Sequence, residues 1–184
     1  MLAPARLSVD EFLAQPETLT PTELFEGAVV VSPAPTFGHQ RIAARLYDCL
    51  RARTPAGSLV LFAPVDVVLS DSTVVQPDLL WIAPDNDRCI ERDGRLYGAP
   101  DLCVEILSPS TARLDRTAKF TAYERAGVRE YWLAEPTTET LEVWTLGEKE
   151  YTLVGTYRAP QTFVSPALGH AVPVSEVYPM ESPK

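Results

Sequence analysis

The sequence predicts a mixed α/β fold, a central mixed β-sheet flanked by helices, and three observations predict it. Residues 102–107, a helical stretch reaching Ala126, and residues 129–134 follow one another as strand, helix and strand, the layout of a right-handed parallel crossover. Several short apolar runs bounded by Gly, Pro, Asp or Ser read as further strands. Between Gly38 and Arg53, the residues Ile42, Ala43, Leu46, Cys49 and Leu50 recur at helical spacing and mark one inner face.

Each element has a local reason. Ser8-Val9-Asp10-Glu11 is a capping box opening a short helix that Pro16 ends. Thr20-Pro21-Thr22-Glu23 has the same form, with Pro at the first helical position, and predicts a second helix start. Gly27 turns the chain into a strand at Ala28–Val31, closed by Ser32-Pro33-Ala34-Pro35, and the helix over 38–53 follows. Leu59–Phe62 and Val65–Leu69 read as strands, Ser70-Asp71-Ser72 as a turn, and Val74-Val75 and Leu79–Ile82 as strands again. Residues 84–98 are polar and read as a loop holding at most one short strand. After the strand at 102–107, Ser110 is placed to cap a helix to Ala126, and Gly127 suits a left-handed C-terminal cap. Leu141–Leu146 and Tyr151–Tyr157 form a hairpin around Gly147. The Pro-rich tail from Pro160 has strand character near Ala171-Val172 and then frays.

The chain of 184 residues is long enough to bury a core without staples and reads as one domain over 1–184. Cys49, Cys89 and Cys103 are scattered and odd in number, which points to a reducing cytoplasm and away from structural zinc. No run has the length to cross a bilayer, so no membrane partner is expected. Acids outnumber bases 25 to 16, a net charge of −9 that opposes a duplex polyanion at long range. Uncovered strand edges in the C-terminal half would allow a homodimer.

The most informative residue is Glu105. Leu102, Val104 and Ile106 alternate with Cys103, Glu105 and Leu107, so both faces of this strand are apolar apart from one carboxylate. A charge there costs several kcal/mol unless it is paired, protonated or bound to a metal. Asp78 follows Pro77 between two apolar runs, where proline implies a strand edge or bulge able to aim a side chain. If the two strands are neighbours, two carboxylates meet as Mg²⁺ requires. Asp115, Lys119 and Tyr123 stand four apart on the following helix, and a lysine beside a metal can orient water and offset charge on a phosphate.

On the residues alone, other accounts stay open. Glu23 fits a helix cap as well as an acidic site member. Asp78 could be a turn residue, Glu105 the structural partner of Arg113, Arg116 or Lys119, and Asp115–Lys119 an ordinary helix-face ion pair. Tyr123 suits packing, and His39 suits either a helix start or a contact with substrate. Arg113 and Arg116 give their helix a local positive surplus that could meet phosphate.

Glu23-Leu-Phe-Glu-Gly27, Ser32-Pro33, His39, Pro77-Asp78, the run Val104–Ser110, Asp115, Lys119, Tyr123 and Gly127–Trp132 together resemble the Uma-type bacterial family. The likeness runs from about the first capping box to Pro136, and its motif order is specific. The resemblance implies the restriction-endonuclease-like PD-(D/E)XK fold and a DNA endonuclease dependent on Mg²⁺, or Mn²⁺ in its place. It carries metal ligation to Asp78 and Glu105 and an additional acidic role to Glu23. The parent superfamily has its lysine two residues after the second acid, where this chain has Leu107; the resemblance places that lysine on the next helix, at Lys119. Asp115, Tyr123 and His39 would then support the site, and Arg113 and Arg116 would meet substrate. The rival expectation is a non-catalytic binding or assembly module that retains the nuclease fold, supported by the acidic balance and by Leu107.

Overall fold

A computed structural model describes residues 6–16, 18 and 20–180. Chain order begins with α1 (Val9–Leu13), opened by the Ser8/Glu11 capping box, whose two reciprocal hydrogen bonds are both present. β1 (Thr22–Phe25) and β2 (Ala28–Val31) follow as an antiparallel hairpin. The segment Thr20–Glu23 therefore starts a strand and not the helix its capping signature predicts. The two residues joining the strands, Glu26 and Gly27, both have positive φ, 47° and 82°. That is the signature of a tight hairpin turn whose twist matches its strands, and pairing across it outweighs a local helix signal.

α2 (Phe37–Arg51) is followed by β3 (Leu59–Phe62), β4 (Val67–Ser70), β5 (Thr73–Val75) and β6 (Leu79–Ile82). Residues 84–98, expected to be mainly loop, hold an antiparallel hairpin of β7 (Ile90–Arg92) and β8 (Arg95–Tyr97). Their polarity reflects exposure: β7 is an outer strand and is exposed throughout. β9 (Leu102–Ile106) runs parallel to β10 (Glu130–Glu135), as the crossover pattern predicts. Between them lie α3 (Ala112–Leu114), a π-helical turn (Asp115–Lys119) and α4 (Phe120–Ala126), closed by Gly127 at φ 88°. Ser110 is not the cap. Thr111 occupies that place, and the Ser108 hydroxyl accepts the Thr111 N–H.

The hairpin of β11 (Thr140–Leu146) and β12 (Tyr151–Arg158) completes the larger sheet. β13 (Thr162–Val164) and β14 (Ala171–Pro173) then pair, and a 3-10 turn at Val174–Glu176 follows. The tail does not fray before Tyr178: Val174, Val177 and Tyr178 are buried.

The strands form two six-stranded mixed sheets, ordered β2-β1-β5-β4-β8-β7 and β12-β11-β10-β9-β6-β3. The second is the expected helix-flanked sheet; the first is an addition the sequence pattern did not separate from it. α2 covers one face of the second sheet, where Ile42, Leu46 and Leu50 join Leu102, Val104 and Ile106 in one core. On the opposite face Cys103, Leu107 and Tyr123 share a core with Phe25, Val67 and Val75 of the first sheet. β9 is thus buried on both sides, as its double apolar pattern requires. Gln76-Pro77-Asp78 carries the chain from one sheet to the other.

Candidate active site

The two sheets and the start of α2 enclose a cleft of about 1190 Å³ at the carboxyl end of β9. Glu23, His39, Asp78, Glu105, Asp115 and Lys119 all line it. Each arrives by a local rule. Strand alternation sends Glu105 to the face it shares with Cys103 and Leu107, towards the crossover helix. β6 pairs with β9, Leu79 opposite Val104, which sets Asp78 beside the end of the Glu105 strand. The N–H of Ile106 donates to Asp78 Oδ2 at 2.7 Å, and His39 Nε2 lies 3.0 Å from the same oxygen. β1 delivers Glu23, whose Oε1 accepts the Gln76 N–H at 2.7 Å.

Lys119 joins these strands. Its ammonium donates to Glu105 Oε1 at 2.9 Å and lies 3.1 Å from Glu23 Oε1 and 3.8 Å from Asp115 Oδ1. The Tyr123 hydroxyl donates to the same Glu105 oxygen at 2.6 Å. Residues four apart overshoot one turn of an α-helix, so such a series drifts around it. The π turn over Asp115–Lys119 takes more residues per turn and counteracts that drift, and Asp115, Lys119 and Tyr123 are all buried.

Electrostatics follow from burial and numbers. Burial alone would push the lysine down, but Glu105, Glu23 and Asp115 outweigh it and hold its pKa above the ordinary lysine value. The carboxylates cannot all share one ammonium. Burial pushes Glu105 well above the usual carboxylate range; Lys119 opposes this, while Asp78, Asp115 and Glu23 add to it. Asp115 is raised to about 6, again by burial against the pull of Lys119.

Surplus negative charge on hard oxygen donors suits a divalent cation such as Mg²⁺, which takes one or two carboxylates and completes its shell with water and phosphate. Asp78, Glu105 and Glu23 each use one oxygen in the contacts above. Their second oxygens have no protein donor among the described residues. Also among the described residues, no group of three or more His, Cys, Asp or Glu side chains is placed to hold a metal ion by itself.

Three expected site members do not line the cleft: Tyr123, which is fully buried behind Glu105 and reaches it through its hydroxyl, and Arg113 and Arg116. Arg113 is exposed, and Arg116 makes two 2.8 Å bonds to Glu142. Two cleft residues escaped the sequence reading. Gln76 holds Glu23 through its N–H and donates through its side chain to Asp66 at 2.9 Å; Asp66 in turn meets Arg95 at 3.3 Å. The only signal for Gln76 was its place before Pro77-Asp78, and for Asp66 a charge within a run of valines.

A family model described as "Uma2: Putative restriction endonuclease" matches residues 9–175. Among solved structures, a protein from Anabaena variabilis titled "a putative nuclease belonging to DUF820" superposes with a TM-score of 0.76 at 21% identity, covering 94% of this chain and 97% of that one. At that identity the likeness shows the fold. No curated protein matches this chain. Among the described residues no helix is long and apolar enough to cross a membrane.

Proposed function

The chain belongs to the Uma2 family, and from that premise we propose that it is a metal-dependent endonuclease hydrolysing DNA phosphodiester bonds. One observation carries the reading: Glu23, Asp78, Glu105 and Lys119, far apart in sequence, converge on one cleft with the lysine between two of the carboxylates. Asp78 and Glu105 would hold Mg²⁺, with Mn²⁺ an alternative, through the oxygens that no donor among the described residues uses. Bound there, the ion would neutralise the scissile phosphate and lower the pKa of a water. Glu105 and Glu23 hold Lys119 protonated, so it can orient the attacking water and offset charge growing on the phosphate. Tyr123 fixes the Glu105 carboxylate through the 2.6 Å bond, and His39 with the Ile106 N–H fixes Asp78. Asp115 restrains the lysine from within its own helix.

Plasmid nicking in Mg²⁺ tests this. Lys119→Ala should keep the circular dichroism of the wild type and lose cleavage by at least about 100-fold, the scale of one electrostatic stabiliser. Asp78→Asn and Glu105→Gln should lose cleavage and also the calorimetric heat of Mg²⁺ binding. Full cleavage by Lys119→Ala would remove the lysine from its role. A second reading, a non-catalytic module on the same fold, is favoured by Lys119 already engaging Glu105 and Glu23. A cation titration without heat dependent on Asp78 and Glu105 would decide for it.

A further inference from the structure

We propose that the cleft takes an unpaired nucleotide with its base stacked on Phe62, so that the substrate is single-stranded or locally opened nucleic acid. This rests on the nuclease reading above and names its substrate class. Phe62 ends β3, the outer strand of the second sheet, and pairs with Leu79, the residue after Asp78. The Ala63 N–H donates to the Asp78 carbonyl at 3.1 Å, tying the backbone next to the ring to the backbone that carries the acid.

Phe62 is 58% exposed and lines the cleft. Tyr47 meets it edge to face, with centroids 5.5 Å apart and planes at 90°, which sets the orientation of the ring and leaves most of its surface open. His39, Ala43 and Tyr47 follow at four-residue steps on α2. One helix stripe therefore runs from the Asp78 carboxylate to the Phe62 ring. Ala63 and Pro64 on one segment, with Pro33 to Pro35 on another, extend the apolar lining.

Charge favours recognition of the base over the backbone. Glu23, Asp66, Asp78, Asp93, Glu105 and Asp115 line the cleft. The cations lining it, Arg95 and Lys119, are already paired with cleft carboxylates. A duplex would bring two phosphate strands into this field and keep its base faces hidden. A single strand brings one, and its open π-faces stack on an aromatic side chain with little dependence on sequence.

The test is fluorescence on the full chain, with and without Mg²⁺. It compares a single-stranded oligothymidylate carrying one 2-aminopurine with a hairpin duplex carrying the same base. The single strand should bind more tightly than the duplex and its 2-aminopurine emission should be quenched. Phe62→Ala should weaken that binding about 5- to 150-fold, the range of one base–aromatic stack, and abolish the quench. Phe62→Trp should keep both. Equal or tighter duplex binding, wild-type binding by Phe62→Ala, or no binding of the single strand would overturn the proposal. So would a change in sedimentation mass of Phe62→Ala with oligonucleotide binding intact, which would assign the ring to a contact between copies. Phe62-dependent binding without any cleavage would sink the nuclease reading and leave this one. Duplex cleavage indifferent to Phe62 would do the reverse.

Discussion

At the scale of single residues, Lys119 and its carboxylates set the electrostatics of the cleft. An ammonium with almost no access to water persists only because acids surround it, and burial pushes two of them, Glu105 and Asp115, up in turn. Asp115 gives this a measurable form. Its pKa rises on folding from 3.8 to about 6, so its contribution to stability is fully present below 3.8 and is lost as the pH rises through about 6. The stability of wild type minus that of Asp115→Asn should therefore fall over that window, in the direction of a more stable Asn variant, and stay level above it, as read from urea midpoints. A difference constant with pH would contradict the raised value. Glu105 was legible in the sequence because a lone charge in an apolar strand breaks the pattern. Lys119 was less legible: its four-residue spacing from Asp115 and Tyr123 marked a polar stripe, but a lysine four residues from an aspartate on a helix is ordinary, and the family resemblance was needed to prefer it over a plain ion pair.

Turns decide more than propensity at the scale of elements. The Thr20–Glu23 signature satisfies a helix start, yet β1 forms because all four of its residues find partners on β2, Thr22 with Val31 through Phe25 with Ala28. A capping box contributes about 1 kcal/mol, less than a paired hairpin that also buries Leu24 and Phe25. The β7–β8 hairpin supplies a sharper test. Gly94 and Gly98 both have positive φ, but a Cβ at Gly94 meets nothing within 4 Å, while one at Gly98 would lie 1.9 Å from the Arg88 carbonyl oxygen. Gly94→Ala should cost about 1 kcal/mol, the backbone term alone, and Gly98→Ala clearly more, by thermal melting. Equal losses would mean that the Arg88 segment yields freely. The π turn belongs here as well: no residue type in Asp115–Lys119 announces it, because an extra residue per turn is selected by what the helix packs against.

The C-terminal segment is a structural strap of the whole molecule. Phe163, Val172, Val174, Val177 and Tyr178 share a core with Trp132, Leu141 and Val143. Glu130 is fully buried and bonds to the Trp132 indole, the Ser165 hydroxyl and the Ala167 N–H, pinning the strap to β10. Arg53 ties it to α2 through two 2.7 Å bonds to Glu176. Val177→Asp should then destabilise the chain by about 3 kcal/mol or more, whereas Met180→Asp, at an exposed position, should stay within about 0.5 kcal/mol. Matching denaturation curves for the two variants would return the tail to the frayed state its proline content suggests.

What the sequence determined by itself was periodicity and its interruptions: the alternation that buries β9 on both faces, the stripe of α2, the parallel crossover, and the isolated acid at position 105. These are local, since side-chain direction follows from spacing along one element. The division of the strands into two sheets, the approach of Glu23 and Asp78 to Glu105, the π turn and the docking of the tail came only from the tertiary structure. Each depends on pairing between segments distant in the chain, where the free energy comes from surfaces that meet after folding and leave no mark in either segment alone.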